Sequence, residues 1–466
     1  MKSLALAPAA ERLLEKTFST AVARARSLQR TVLATASFEI PPLHPLEVLR
    51  KWDDDVTPWL FWQCKDTGAS FLAWARALEL QAQGEHRFSE IDKQWRALCA
   101  EACTDGPIPP RLCGGFRFDT ASQREDHWLP FADASLMVGS IVFLKQEGKH
   151  YMLCQHMVSE ADNASQLTSH FAERYLHSVS SCSPSPVSAT NVETLNAHNR
   201  DRGDWEQKVR DAICTIQEDV IQKVVLARSQ ILPPRDRHAA DVLAALLRRQ
   251  EGAFVYGCRR GNCYFVGASP ERLVRLEDQI VSTQALAGTA ARSNLPSEDA
   301  RLAHQLLHSE KDLQEHRIVV EQIRSALIKC CENLSVPERP VITRLNRLQH
   351  LNTPISGRAS RSSSILELAQ QLHPTPAVAG FPKTKALEYI RTHEQQDRGW
   401  YAAPLGWIDA HNEGDFLVAL RCALFTPHGS HLYAGCGIVQ DSNPGKEFEE
   451  TNIKLWAMLN ALESKC

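Results

Sequence analysis

The hydrophobic pattern is sharpest after about residue 200. In WEQKVRDAICTIQEDV, Trp205, Val209, Ile213, Ile216 and Val220 recur at helical spacing, with Asp204 placed to cap the helix. The short β-branched run KVVLARSQIL predicts a strand. AFVYGCRRGNCYFVGASPERLVRLEDQIVSTQALAG, cut by turn signals at RRGN and EDQ, predicts successive antiparallel strands. A helical stretch, SEDARLAHQLLHSEKDLQEHRIVVEQIRSALIKCCENL, follows and breaks near Ser309. Strands return in RGWYAAPLGWID, GDFLVALRCALF and HLYAGCGIVQ, and a last helix turns Leu455, Met458, Leu459 and Leu462 inward. Hairpins and helix pairs in place of alternating β-α-β units predict an α+β fold.

Residues 1–177 carry mixed strand and helix signals and are read as a divergent part of the same α+β unit as residues 200–464. Trp59, Phe61 and Trp62 are read there as core. Between the two parts, Ser178–Asn191 (SVSSCSPSPVSATN) is too rich in Ser and Pro for a regular element and reads as a linker or surface loop.

Charge narrows the partners. With 52 Lys and Arg against 55 Asp and Glu the net charge is −3, and without a basic run nothing favours nucleic acid or an anionic membrane. No stretch of 18 apolar residues is present to span a bilayer. The opening MKSLALAPAAERLLEK has a short apolar run met at once by Glu11 and Glu15, which reads as an amphipathic helix and not an export signal. Fourteen cysteines without a regular framework fit a reduced, cytoplasmic setting. Cys99/Cys103 and Cys258/Cys263 lack CxxC spacing and histidine partners, so they read as packed thiols and not as a zinc site.

Two acidic clusters are the candidate chemistry. In GCGIVQDSNPGKEFEETNIK, Glu447, Glu450 and Lys454 share one helix face; in SEKDLQEHR, Asp312 and Glu315 share another. Either cluster alone is an ordinary solvated helix face. Brought together, they form a cage of hard oxygen donors suited to Mg²⁺. His316 is one residue off that face. Glu271 follows Pro270 at a strand end, in GASPERL, with no Walker spacing. Lys223 enters an apolar strand, where a lysine either snorkels to solvent or serves as a base. Arg421, interrupting FLVALRCALF, calls for an anionic partner such as a substrate carboxylate, and Tyr401 lies on a neighbouring strand.

These pieces, with ALAGTA, LQHL, LHPTPAVAGFP and RGWYAAPLGW in the same order, resemble the chorismate-utilising enzymes: the isochorismate, salicylate, anthranilate and aminodeoxychorismate synthases. The resemblance runs from about Asp204 to Leu462. It implies an αββα layering of large antiparallel sheets between helices, with chorismate bound in a cleft, as a monomer or homodimer. By motif position it implies Mg²⁺ held directly by Glu315 and Glu450, with Asp312 and Glu447 supporting through water. Arg421, Tyr401 and Lys454 would grip carboxylates, joined at the substrate by His350, Gly288, Thr289, Thr375, Gly437 and Ile438.

The resemblance also sorts the reactions. Lysine at position 223 is what the water-using members carry as base, where anthranilate synthases carry glutamine. Ala287 stands where aminodeoxychorismate synthases often place a nucleophilic lysine. Glu271 matches the general acid. The implied reaction is addition of water at ring C2 with loss of the C4 hydroxyl, giving isochorismate, as in the menaquinone-pathway synthases and also in siderophore pathways. A salicylate synthase, which goes on to eliminate pyruvate, and an anthranilate synthase component are the alternatives. An inactive chorismate-binding subunit, the reading from another class, is expected to lose one of Lys223, Glu271, Glu315 or Glu450, and this chain keeps all four.

Overall fold

The computed structural model describes residues 8–64, 66–173, 202–234 and 237–463; the linker expected at 178–191 lies outside them. Among the described residues there are twenty strands and eleven α-helices. A first sheet runs from Trp59–Gln63 through Phe254–Arg260, Cys263–Ser269, Cys422–Thr426 and Gly429–Ile438 to Lys223–Leu232. A second runs from Arg111–Phe116 through Pro404–Asp409, Gly414–Val418, Arg272–Glu277 and Ile280–Ala291 to Leu348–Ala359. All of these pairings are antiparallel. Two long strands, Ser70–Ala82 and Ala134–Gln146, serve both sheets, bending at a register shift between Arg76 and Leu78 where Ala75 takes φ 54°.

Side-chain alternation builds the layers. On Trp59–Gln63, Leu60 and Trp62 join the cluster between the sheets, while Trp59 and Phe61 join the cluster under the outer helices. Trp62 meets Trp407 of the second sheet edge-on at 6.4 Å. Helices Pro8–Leu28, Pro45–Trp52, Ala239–Arg249 and Pro444–Glu463 cover the first sheet with Leu14, Phe18, Leu49, Leu243 and Leu455. Helices Arg87–Glu101, Glu310–Leu327 and Ile365–Leu372 cover the second with Ile91, Trp95, Val319, Ile323 and Leu366. The result is the four-layer αββα arrangement. No helix among the described residues is long and apolar enough to cross a membrane.

The helical break falls at Ser309, which closes Pro296–His308 and caps Glu310–Leu327. Three local expectations are corrected. The helix over Trp205 starts at Arg202, so Asp204 lies in its first turn and is not its cap. RGWYAAP becomes strand only at Pro404. GDFLVALRCALF is not one strand: it leaves the second sheet after Val418 and enters the first at Cys422, with Arg421 in the left-handed region (φ 49°) between them. The twelve described cysteines are free thiols.

Candidate active site

Two crossovers between the sheets lie side by side. One is Val418–Cys422; the other carries the chain from Ser269 to Arg272, with Pro270, which lacks the N–H a continuing strand needs, at the corner. They are tied together: Ser269 Oγ donates to Val418 O (2.5 Å) and Val418 N–H to Glu271 O (3.0 Å). Glu271 and Arg421, one from each crossover, thus reach a single cavity of about 460 Å³, a size fit for a small organic ligand.

The same cavity is lined by Asp312 and Glu315 from one helix, Glu447, Glu450 and Lys454 from another, and by Gly288, Thr289, His350, Tyr401 and Gly437. Lys223 lies just behind this lining, 1% exposed, its Nζ donating to Glu315 Oε1 at 2.8 Å. The two acidic faces therefore do meet. Each is answered by lysines: Lys311 reaches Glu447 at 3.3 Å and Lys454 reaches Glu450 at 2.7 Å, while Lys454 also donates to Gly435 O at 2.8 Å.

The electrostatics show an unbalanced site. Burial, and then the neighbouring Glu450, push the Glu447 carboxyl above its ordinary range. Burial likewise raises Asp312, with Glu315 and Glu450 adding to the rise against the Ser309 hydroxyl. For Glu315, burial acts upward but the Lys223 charge and hydrogen bond more than offset it, so its carboxyl is lowered. Burial opposes the Lys454 charge, and Glu450 outweighs it and holds the ammonium pKa up. Burial pulls Arg421 down to about 10, so its cation is short of anionic company.

What Arg421 does touch is His350. A guanidinium only donates, so Nε2 of His350 accepts from it (3.1 Å), which leaves the ring proton on Nδ1 facing Thr289 Oγ1 at 3.0 Å. Burial, then Arg421 and Lys454, hold this histidine neutral. Tyr401 stacks on Tyr433 at 5.3 Å.

Gly437 sets the closest approach. A Cβ there would stand 2.7 Å from Glu315 Oε1 and 2.9 Å from Lys223 Cε. Gly437→Ala is expected to displace that ion pair, lowering kcat about 10²-fold and stability by about 1–3 kcal/mol. Steady-state kinetics and a denaturant curve measure both, and wild-type values in each would show that the pair shifts freely. Gly288, at φ 79°, is the bulge of strand Ile280–Ala291, where the register shifts between Ala287 and Thr289, and a Cβ there would stand 3.3 Å from that of Asp312.

Two expected substrate contacts lie elsewhere. Ile438 is fully buried at the end of its strand, in register with Val224, and does not line the cavity. Thr375 lines a separate cavity of about 180 Å³ beside Pro374 and Lys383, and its carbonyl is taken by the N–H groups of Val378 and Ala379 in a turn. His316 bonds Ala287 O and Thr353 Oγ1 in the core. Lys311 and Tyr433 were missed; the first sits in SEKDLQEHR itself, where only the acids drew notice.

Among the described residues no three His, Cys, Asp or Glu side chains already surround a common point fit for a metal ion. The donor chemistry fits one nonetheless: four carboxylates from two helices line the cavity, and Glu447 and Asp312 are raised by burial first and by Glu450 and Glu315 after it, a cost that a hard dication would offset.

The profile of the family described as "Chorismate binding enzyme" matches residues 19–463. The chain belongs to that family. The match takes in most of the N-terminal third, where the motifs alone carried no resemblance. A salicylate biosynthesis isochorismate synthase of Pseudomonas aeruginosa is 48% identical over 461 residues, spanning 98% of this chain and 96% of the relative. The isochorismate synthase MenF of Bacillus subtilis is 32% identical, spanning 97% and 98%. The solved menaquinone-specific isochorismate synthase of Escherichia coli superposes with a TM-score of 0.77 at 25% identity, over 96% of this chain and all of that one. The protein is thus a chorismate-family enzyme, and these relatives are isochorismate synthases.

Proposed function

We propose that this enzyme is an isochorismate synthase that hydrates chorismate at ring C2 and removes its C4 hydroxyl. The observation that carries the reading is the pairing of Lys223 and Glu271 with one cavity, an amine behind one wall and a carboxyl at a strand crossover. The names of the relatives support the same reaction.

Lys223 takes a proton from water as the water oxygen bonds C2. The ring double bonds shift, and the C4–O bond breaks toward oxygen, which receives a proton from Glu271. Each such transfer is worth about 10²–10⁴ in rate. Arg421 and Lys454, set at the cavity wall, bind the carboxylates of the substrate; an anion beside Arg421 supplies the partner its burial calls for. The neutral His350 orients Arg421 and Thr289. Glu315 and Glu450 would hold Mg²⁺ directly, with Asp312 and Glu447 through water, and the ion would supply the positive charge that lets an anionic substrate approach an acidic wall.

Incubation with chorismate and Mg²⁺ followed by product identification tests the reading: isochorismate alone is expected, and Glu271→Gln is expected to lower kcat by about 10²–10⁴-fold. Salicylate with pyruvate would make this a salicylate synthase, and anthranilate on adding ammonium would overturn the water chemistry. The higher identity lies with the relative named for salicylate biosynthesis, which favours supply of isochorismate to a salicylate or siderophore pathway over menaquinone.

A further inference from the structure

Tyr401 and Tyr433 both line the substrate cavity, their rings stacked at 5.3 Å and 17° from parallel. They are held differently. Tyr433 stands in strand Gly429–Ile438, in register with Cys422 on one side and Ser229 on the other. Tyr401 sits in the turn before Pro404–Asp409, outside any ladder, with Ala402 in the left-handed region (φ 60°) after it. Its ring is therefore placed by what it packs on. Its hydroxyl lies over Gly435, where a Cβ would stand 2.9 Å away, and Gly435 O is the acceptor for Lys454 Nζ. Tyr401 thus ends beside the ammonium assigned to a substrate carboxylate.

The Tyr433 hydroxyl has two partners from the short helical turn Asp126–Trp128: Trp128 Nε1 at 3.0 Å and His127 Nε2 at 2.9 Å. An indole N–H only donates, so the hydroxyl accepts from Trp128 and its own proton goes to His127 Nε2. That leaves the imidazole proton on Nδ1, which stands 3.4 Å from Glu125 Oε2, an oxygen that only accepts. Burial outweighs Asp397 and Asp126 and holds His127 neutral, as an acceptor must be. Glu125 in turn is tied to the segment leading into Tyr401: its N–H donates to Asp397 Oδ2 at 3.0 Å, and its Oε1 accepts from the Asp397 N–H at 2.8 Å. A closed circuit runs from Glu125 through His127, Tyr433 and Tyr401 back to Asp397. Given the chorismate reading above, we propose that His127 is a positioning residue for substrate binding: by taking the Tyr433 hydroxyl proton it fixes that ring, and the ring fixes the Tyr401 hydroxyl beside Lys454. His127 does not itself line the cavity.

His127 stacks on His431 at 4.0 Å, and His127→Phe keeps a flat ring there while removing the acceptor. It is expected to raise KM for chorismate about tenfold, with kcat within about twofold of wild type. His127→Gln, whose side-chain oxygen can accept from Tyr433, is expected to bring KM back to within about threefold of wild type. Tyr401→Phe is expected to raise KM by itself, and His127→Phe added to it to raise KM no further, because both act through one hydroxyl. A KM within about twofold of wild type in His127→Phe overturns the proposal. So does equal loss in the Phe and Gln variants, or a further rise of about tenfold on top of Tyr401→Phe. If His127→Phe does not fold, Tyr433→Phe, which deletes the hydroxyl and spares the histidine, carries the same expected KM and the same comparison with Tyr401→Phe. Product identification with the wild type decides the hydration reading separately. Salicylate or anthranilate would end that reading and leave the KM comparison to decide the role of His127, because those reactions also begin from chorismate.

Discussion

Lys223→Ala lowers kcat by about 10²–10⁴-fold, the range for a lost proton-transfer group. It also lowers stability, because Glu315 is left in a largely buried place without the Lys223 Nζ 2.8 Å away, and breaking such a pair costs about 3–5 kcal/mol. The two effects are separable. Lys223→Arg keeps a cation against Glu315 but cannot surrender its proton near neutral pH. It is expected to recover most of the stability, measured by denaturant unfolding, while kcat stays as low as in the alanine variant. Wild-type turnover by the arginine variant would reduce Lys223 to a structural charge.

The second large effect concerns Mg²⁺. Removing divalent metal with a chelator is expected to abolish turnover, and adding Mg²⁺ back to restore it. Glu450→Gln is expected to weaken Mg²⁺ binding by an order of magnitude or more, since it removes an anionic oxygen donor and leaves Lys454, now without its carboxylate at 2.7 Å, as an uncompensated cation facing the ion. Calorimetric titration of Mg²⁺ without chorismate reads this apart from catalysis. Indifference of activity to the chelator, together with unchanged binding in the variant, would remove the metal from the scheme.

Much of this site was legible in the sequence because its residues sit on strongly periodic elements. The spacing of Asp312 with Glu315, and of Glu447 with Glu450 and Lys454, fixes which side chains share a helix face, and both faces reach one cavity. What periodicity does not carry is the path of the chain between sheets. Arg421 read as an interruption inside one strand, yet it sits in a crossover, because nothing in FLVALRCALF signals that its two halves hydrogen-bond to different partners. Thr375 and Ile438 were placed by motif position alone. A threonine whose carbonyl closes a turn and a buried isoleucine in the last pair of a strand ladder are needed by the fold in ways a linear pattern does not separate from substrate contact. Lys311 was missed for a related reason: a lysine among glutamates reads as helix solvation until the opposing helix is in place.

The proposed acid, base and metal carboxylates all follow residue 222, but the sheets that hold them are completed from the other end of the chain. Strand Phe254–Arg260 is bonded to Trp59–Gln63, and Pro404–Asp409 to Arg111–Phe116. A polypeptide severed anywhere between residues 173 and 202 would bare a raw border on each sheet, an invitation to self-association. Catalytic apparatus and scaffold here are not modules that could be inherited apart. Change in the early part of the chain is free to rewrite letters, but not to shed those two border strands.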